Sequence, residues 1–343
     1  MNSEAYEVFE EDKIKYKLYT NAISAAMEKL SHLPFLYVKN NVISTYFMSR
    51  RIAICGAGRG PLVFPLIRSS SFFPPMKIFI VEKNPNAIIT YNLFAYTPII
   101  LIFAARLLHK YGNCKEVEIV HEDMRDWNPT DGPLHLIVTE LLGGFGDNEL
   151  SPECIHGIER LLDSDGIIIP QSYSSWIEPI YSPIIRQNIF NIRKGSTDPF
   201  QTPYTCLLEF HQCPSEPKKV FSFCHPSETG SVPNSMRKDL IFTMKEDCVI
   251  DGFAGYFVAY LYQEILLSIL PKDHTPNMAS WFPLFFPLSE PLKASKGQTI
   301  YLNVKRENDG EKVWYSWKAS ASPSDDSPNN WHNEKGGHFC MKL

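Results

Sequence analysis

No C-x-x-C pair occurs among the eight cysteines of this 343-residue chain, which excludes both a thioredoxin-type redox pair and a zinc ribbon. The cysteines, at 55, 114, 154, 206, 213, 224, 248 and 340, are read as free thiols. Cys206, His211, Cys213, Cys224 and His225 form the one Cys/His concentration. Their irregular spacing within alternating apolar stretches fits strand positions better than ligand positions, so no metal is expected. An excess of positive charge is also missing. A net charge of -5 and a pI near 6.1 leave no basic patch for duplex nucleic acid, while a mildly acidic surface suits cationic peptides. The start, Met1-Asn-Ser-Glu-Ala-Tyr-Glu, lacks the basic and apolar regions of a secretory signal, which places the protein inside the cell. The apolar run Pro98 to Leu108 is too short to span a bilayer and holds Arg106. It reads as a buried helix, and no membrane partner is expected. Internal repeats and low-complexity blocks are absent.

What the chain does have is 44% apolar residues, enough for sizeable cores in two domains. Asp12 to Leu30 reads as a helix, with Ile14, Leu18, Ile23, Met27 and Leu30 near one stripe. Leu33 to Arg50 is an apolar linker with no assigned structure. Five short apolar segments follow: Arg51 to Cys55, Lys77 to Val81, Glu116 to Val120, Leu134 to Thr139, and Gly166 to Ile169. Each is separated from the next by room for a crossover helix, the pattern of a doubly wound parallel sheet. After Pro170 the character changes to frequent prolines, many aromatic residues and period-two stretches such as Val220 to Cys224 and Thr299 to Val304, the pattern of an antiparallel β domain. The expected organisation is therefore α/β plus β: a Rossmann-like domain over 1–170 with an N-terminal lid helix, then an antiparallel β domain over 171–343. Within the latter, 174–193 reads as a projecting arm and 199–238 as rich in turns and loops.

The most informative stretch is Glu140-Leu-Leu-Gly-Gly-Phe-Gly-Asp-Asn-Glu149, in which two carboxylates bracket a glycine-rich turn directly after a strand. Such a hairpin can aim both acids at one point. A planar guanidinium is the natural guest, because its fork of donors pairs bidentately with carboxylates and few other small groups need two anions. Upstream, Gly56-Ala-Gly58-Arg-Gly60 follows the first strand of the sheet and Glu82 ends the second, the positions of a backbone turn against a ligand and of an acceptor for ribose hydroxyls. That arrangement alone would serve NAD equally well. The glycine spacing, however, lacks the third position that accommodates a pyrophosphate. Asp123-Met124 adds an acceptor for an adenine amino group beside a thioether that can lie on the ring. Together these favour S-adenosylmethionine.

Tyr6-Glu-Val-Phe9-Glu-Glu-Asp12, Gly56 to Leu62, Val81 to Asn86, Glu140 to Glu149, Phe253 to Phe257, Ser280-Trp281-Phe282-Pro283 and Lys312 to Tyr315 together resemble the type II protein arginine methyltransferases over nearly the whole chain. The resemblance implies a Rossmann-like methyltransferase domain followed by a β-barrel with a dimerisation arm. It also implies methyl transfer from S-adenosylmethionine to arginines of histone tails and arginine-glycine-rich proteins, giving monomethyl and symmetric dimethylarginine, in cytoplasm and nucleus. Carried over by position, Tyr6, Lys15, Tyr16, Gly56, Gly58, Gly60, Glu82, Asp123 and Met124 surround the cofactor, and Glu140 and Glu149 form the catalytic pair. Phe9 and Ser280 set the symmetric product, and Trp281 packs on the substrate arginine. Two departures bear on partners. The family's N-terminal TIM barrel, which docks a WD-repeat partner, has no counterpart before Tyr6, so that partner is not expected, whereas a homodimer through the barrel arm is. An extra apolar stretch, about 96–110, stands where the family has a short polar connection. The competing readings are a catalytically inactive, cofactor-binding assembly module and an enzyme acting on a small molecule.

Overall fold

The computed structural model describes residues 12–32, 37–39, 42–44, 50–58, 60–70, 76–88, 114–130, 132–192, 198–322 and 331–343. Tyr6, Phe9 and the apolar stretch around 96–110, including the expected helix from Pro98, lie outside them.

The first helix, α1, spans Lys13–His32, with Asp12 at its N-terminal end. One Asp12 carboxylate oxygen accepts from the amides of Ile14 and Lys15 at 3.1 and 3.0 Å, which satisfies two donors that a helix start leaves without partners. The buried face runs through Lys15, Tyr19, Ala22, Ile23, Ala26, Met27 and Leu30. It is therefore offset from the expected stripe: Ile14 and Leu18 are only partly buried, and a lysine takes a core position. Within the linker, Tyr37–Lys39 and Val42–Ser44 form a short antiparallel pair, β1 and β2.

The five expected strands form as β3 (Arg50–Cys55), β4 (Met76–Val81), β5 (Cys114–Val120), β6 (Leu134–Thr139) and β7 (Leu162–Ile169). They pair in the order β5-β4-β3-β6-β7, all parallel. Near-continuous apolar sequence is what a strand covered on both faces requires; every residue of β6 is buried. The order runs outward from β3 through β4 and β5, then returns to β6 on the other side of β3. This makes β3/β6 the switch point, where open α/β sheets bind ligands at the carboxyl ends of their strands. Cys55 pairs with Thr139 there, so the turn beginning at Gly56 and the acid loop beginning at Glu140 leave neighbouring strands side by side.

From Ser172 onward the chain is antiparallel. The barrel is built from two sheets. The first has the order β10-β8-β12-β14-β9 with β13 on β12, from β8 (Ser172–Ile180), β9 (Tyr204–Thr205), β10 (Lys218–Cys224), β12 (Cys248–Tyr262), β13 (Ile265–Ser268) and β14 (Leu284–Ala294). The second is β11-β15-β16-β17, from β11 (Ser235–Thr243), β15 (Thr299–Asn308), β16 (Lys312–Ser320) and β17 (Met341–Lys342). Edge-to-face aromatic pairs join them: Phe286 meets Tyr315 at 5.9 Å and Trp317 at 5.4 Å. The expected arm begins later than its sequence suggested, because Ser174 to Ile180 is sheet interior, paired on both sides. After it comes the helix Pro183–Asn191, which buries Ile185 and Ile189 and leaves Ile184, Phe190 and the following Ile192 about half exposed. Likewise 199–238 is more ordered than its turn-rich sequence implied, since it carries β9, β10 and the start of β11. Among the described residues no helix is long and apolar enough to cross a membrane, and the seven described cysteines are free.

Candidate functional site

A cavity of about 360 Å³ opens at the carboxyl ends of β3, β4 and β6. Its walls come from the Gly56 to Gly58 turn, Glu82 to Asn84, Glu122 to Arg125, Glu140 to Leu142, Glu149, Leu150 and Cys154, with Tyr16 and Trp281 also facing it. Sequence positions more than two hundred residues apart thus share one pocket.

The glycine turn is shaped by its neighbours. Gly56 has φ +67°, and a Cβ there would lie 2.9 Å from Leu141 Cδ2 and 3.3 Å from Met124 Cε. Only a glycine both adopts that conformation without strain and leaves the room. Gly60 is buried beneath the turn, its amide donating to the Ala57 carbonyl at 2.8 Å, and does not line the cavity. Glu82 receives one backbone bond on each oxygen, from Gly58 N and Asn84 N, both at 2.7 Å. A carboxylate has about four acceptor positions, so this fixes the group and leaves capacity on both oxygens for two ligand hydroxyls.

Asp123 is more heavily engaged than its sequence context suggested. Arg125 donates to it from the backbone amide (3.0 Å), Nε (3.0 Å) and Nη2 (2.8 Å), and Lys83 donates from Nζ at 3.0 Å. Those donors, led by the Arg125 side chain, hold its carboxyl far below the usual range. A ligand amino group reaching Asp123 must share it with Lys83, the more exposed of the two cations. Met124 lies buried against the glycine turn.

Glu140 and Glu149 both reach the cavity. The loop between them folds back at Gly143 and Gly146, which exchange backbone bonds of 3.1 and 2.8 Å, and Asn148 Oδ1 accepts from Phe145 N at 2.7 Å. Gly144 has no room for a side chain: a Cβ would sit 2.1 Å from the Phe282 carbonyl. Glu149 is exposed to the pocket, and the walls around that pocket crowd its carboxyl. That enclosure, together with the charge of Glu140 and partly offset by Lys15, pushes its carboxyl up to about 7. An acid in this state ionises readily once a cation arrives.

Lys15 is fully buried, with Nζ 3.4 Å from Glu140 Oε2 and over the rings of Tyr16 (4.8 Å) and Trp281 (5.0 Å). It is a neighbour of the acid pair rather than a residue of the cavity wall. Trp281 has φ +68°, an uncommon conformation for a large side chain. Its indole donates to the Leu142 carbonyl at 2.5 Å and its ring meets Phe257 edge-on at 5.2 Å. Asp12 fixes the approach to this tryptophan, since its second oxygen accepts from the amides of Ala279 and Ser280 at 2.9 and 2.7 Å. Burial pushes the Asp12 carboxyl up, but these bonds and those at the helix start outweigh it and hold the group below its ordinary value. Ser280 is buried outside the cavity wall, and its hydroxyl has no partner among the described residues.

The sequence reading missed Asp12, Lys83, Asn84, Arg125 and Leu141. Asp123-x-Arg125 was the one available signal, since an arginine two residues from an acid at a loop can return to it.

Residues 1–169 match the family described as PRMT5 arginine-N-methyltransferase, and 172–341 match the PRMT5 oligomerisation domain. Protein arginine N-methyltransferase 5 of Drosophila melanogaster is 37% identical over 346 residues, covering 100% of this chain and 52% of that protein. The Xenopus laevis protein of the same name is 36% identical over 100% of this chain and 50% of its own length. Protein arginine N-methyltransferase skb1 of Schizosaccharomyces pombe is 34% identical over 92% and 48%. The chain thus spans about half the length of the curated relatives it matches. The solved structure described as "Trypanosoma brucei PRMT1 enzyme-prozyme heterotetrameric complex with AdoHcy" superposes with a TM-score of 0.66 at 12% identity, covering 97% of this chain and 95% of that one, a likeness of fold. On these matches, the chain belongs to the protein arginine N-methyltransferase 5 family.

Proposed function

We propose that the chain is an S-adenosylmethionine-dependent protein arginine methyltransferase, forming monomethyl and symmetric dimethylarginine on histone tails and arginine-glycine-rich proteins. One observation carries the reading: two glutamates that leave no other obvious guest than a guanidinium line the same cavity as the glycine turn and Glu82. The cofactor fits the residues present. Glu82 has acceptor capacity for its ribose, Met124 and Leu141 offer apolar walls, and Lys15 and Tyr16 stand at the end nearest the acids. Asp123 is the proposed acceptor for its adenine amino group. When bound, the group supplies an electrophilic methyl on a sulfonium.

The chain's own residues do the rest. Arginine is not deprotonated beforehand at neutral pH, so Glu140 and Glu149 act by accepting from opposite edges of the cation. They draw charge away from the attacking nitrogen, which localises its lone pair, and Glu149 is suited to take the proton as the C–N bond forms. Orientation in such a site is worth about 7 to 11 kcal/mol. Trp281 flanks the guanidinium plane and helps exclude water. Phe9, outside the described residues, and Ser280 are assigned the choice of symmetric product on the family resemblance. Residues 1–170 take the cofactor-binding role, with the first helix as lid. Residues 171–343 take substrate positioning and homodimer formation, with the apolar flank of Pro183–Asn191 as the contact. Cytoplasm and nucleus are the proposed locations.

The test is transfer of tritium from labelled S-adenosylmethionine to an arginine-glycine-rich peptide, with mass spectrometry of the dimethylated product. Symmetric dimethylarginine is the expected result. Cofactor binding without incorporation, in folded protein, would refute the enzyme in favour of an inactive assembly module.

A further inference from the structure

Glu149 has a peculiarity for a residue of an acid pair: among the described residues no hydrogen bond holds its carboxylate. Its direction is inherited from the backbone around it. That backbone is pinned two residues before and four residues after, by Asp147 and Glu153, and both reach the same cation. Arg306 donates Nε to Asp147 Oδ2 at 2.6 Å and Nη2 to both Glu153 oxygens at 2.8 and 2.9 Å. Arg306 is 1% exposed and Asp147 fully buried. Burial works against the guanidinium charge, but Asp147 and Glu153 outweigh it and keep the group more firmly protonated than usual.

The clamp belongs to the barrel. Arg306 on β15 is the direct cross-strand partner of Tyr315 on β16, so the two side chains share a face, and Tyr315 donates its hydroxyl to the same Asp147 oxygen at 2.7 Å. The other Asp147 oxygen accepts from Ser175 on β8, in the opposite sheet, at 2.9 Å. Both barrel sheets thus end on one aspartate in the acid loop. Glu140, by contrast, follows directly from β6 and is placed by the parallel sheet.

We infer that Arg306 is a positioning residue for arginine methylation: by gripping Asp147 and Glu153 on either side of Glu149, this barrel guanidinium sets where the second acid points. The inference rests on the functional reading above. It assigns the barrel a part in the chemistry, separate from dimer formation. A lysine in place of Arg306 keeps the charge but not the fork, and cannot hold both carboxylates in one plane. Glu149 then swings toward water while Glu140, Glu82 and the glycine turn stay.

The experiment compares the full chain with Arg306→Lys and Tyr315→Phe. It measures kcat/KM for an arginine-glycine peptide across pH 6 to 8, the Kd of S-adenosylhomocysteine by calorimetry, and the melting temperature. For Arg306→Lys, the expected result is a loss of about ten- to a hundredfold in kcat/KM at pH 8, as for small misplacements of reacting groups. S-adenosylhomocysteine affinity should hold within about threefold, and the pH midpoint should move to the acid side as Glu149 leaves its enclosure. Tyr315→Phe should show the same pattern with a smaller loss, and it decides the matter if Arg306→Lys does not fold. A folded variant with kcat/KM within about twofold of wild type overturns the inference. So does a loss matched by equal losses in S-adenosylhomocysteine affinity and melting temperature, which would mark general damage. If wild-type protein transfers no methyl group, the functional reading fails. Peptide affinity of the S-adenosylhomocysteine-loaded proteins then decides the positioning role: tenfold weaker binding by Arg306→Lys upholds it, and equal binding overturns it.

Discussion

Lowering the pH from 8 to 6 should cut kcat/KM for an arginine peptide about tenfold, and the cause should be Glu149 alone. Its enclosure and the neighbouring Glu140 push it up to about 7. The fraction ionised is then about 0.9 at pH 8 and about 0.1 at pH 6. The substrate guanidinium does not titrate in this range, so the profile of kcat/KM reports the free enzyme. The sign follows from which form binds. A cation between two glutamates requires both as anions, so the protonated form of Glu149 opposes binding, and affinity rises with pH until the group is ionised. Calorimetry of peptide binding in buffers of different ionisation enthalpy should therefore find about 0.9 proton released per peptide at pH 6 and about 0.1 at pH 8. Glu149→Gln should remove the titration. Because Glu149 is exposed to the pocket, the loss should be smaller than the about 3 to 5 kcal/mol of a broken buried ion pair, and kcat/KM at pH 8 should fall by roughly one to two powers of ten. A flat profile between pH 6 and 8, or a Glu149→Gln protein with the wild-type profile, would refute this account of the acid pair.

Lys15 lowers the Glu149 carboxyl and pairs with Glu140, so Lys15→Met should move the kcat/KM midpoint to the alkaline side of wild type, read from the same profile. Asp12→Ala removes a helix cap, worth about 1 kcal/mol, and leaves the Ala279 and Ser280 amides without their acceptor. A loss of roughly 2 to 4 kcal/mol should appear in urea unfolding at pH 7. Because the folded Asp12 carboxyl is held below its ordinary value, its contribution is complete above about pH 4. It is lost as the pH falls through the folded value, so wild type and variant should converge in strong acid. Gly144→Ala should destabilise by about 1 to 3 kcal/mol and impair turnover, because its methyl would meet the Phe282 carbonyl. Gly337→Ala, with nothing within 4 Å, should stay within about 0.5 kcal/mol in the same unfolding assay.

The parallel sheet was legible because a strand covered on both faces must be nearly continuous in apolar residues, as Ile52 to Cys55, Ile78 to Val81 and Leu136 to Val138 are. The acid loop was legible only in combination, because glycines after such a strand let the chain fold back and the Gly56 turn and Glu82 stand at the same end of the sheet; the structure brings Glu140 and Glu149 to one cavity with them. Lys15 on the core face of α1 was not, since its partner Glu140 lies far along the chain and a helical stripe alone favours the apolar residues beside it. Arg306 was harder still. The alternation of Ile300, Leu302 and Val304 carries it onto the inward face of its strand, but names no partner there, and only the fold brings it to an aspartate 159 positions earlier. The arm was placed too early because Ser172–Ile180 mixes polar and apolar residues, as an edge would, yet it is paired on both sides, with Ser175 and Glu178 bonded internally to Asp147 and Tyr256.

The pairing of Cys55 with Thr139 has a consequence for how such a site tolerates change. Adjacent strands are held about 4.8 Å apart by main-chain hydrogen bonds, a spacing no side-chain substitution alters. The glycine turn and the acid loop each begin one residue past that pair, so under the proposed function the gap between donor and acceptor is gauged by the ladder itself. Insertions at remote crossovers can accumulate without lengthening it. A slip of β6 against β3 by a single register step would misalign the two halves of the reaction at once.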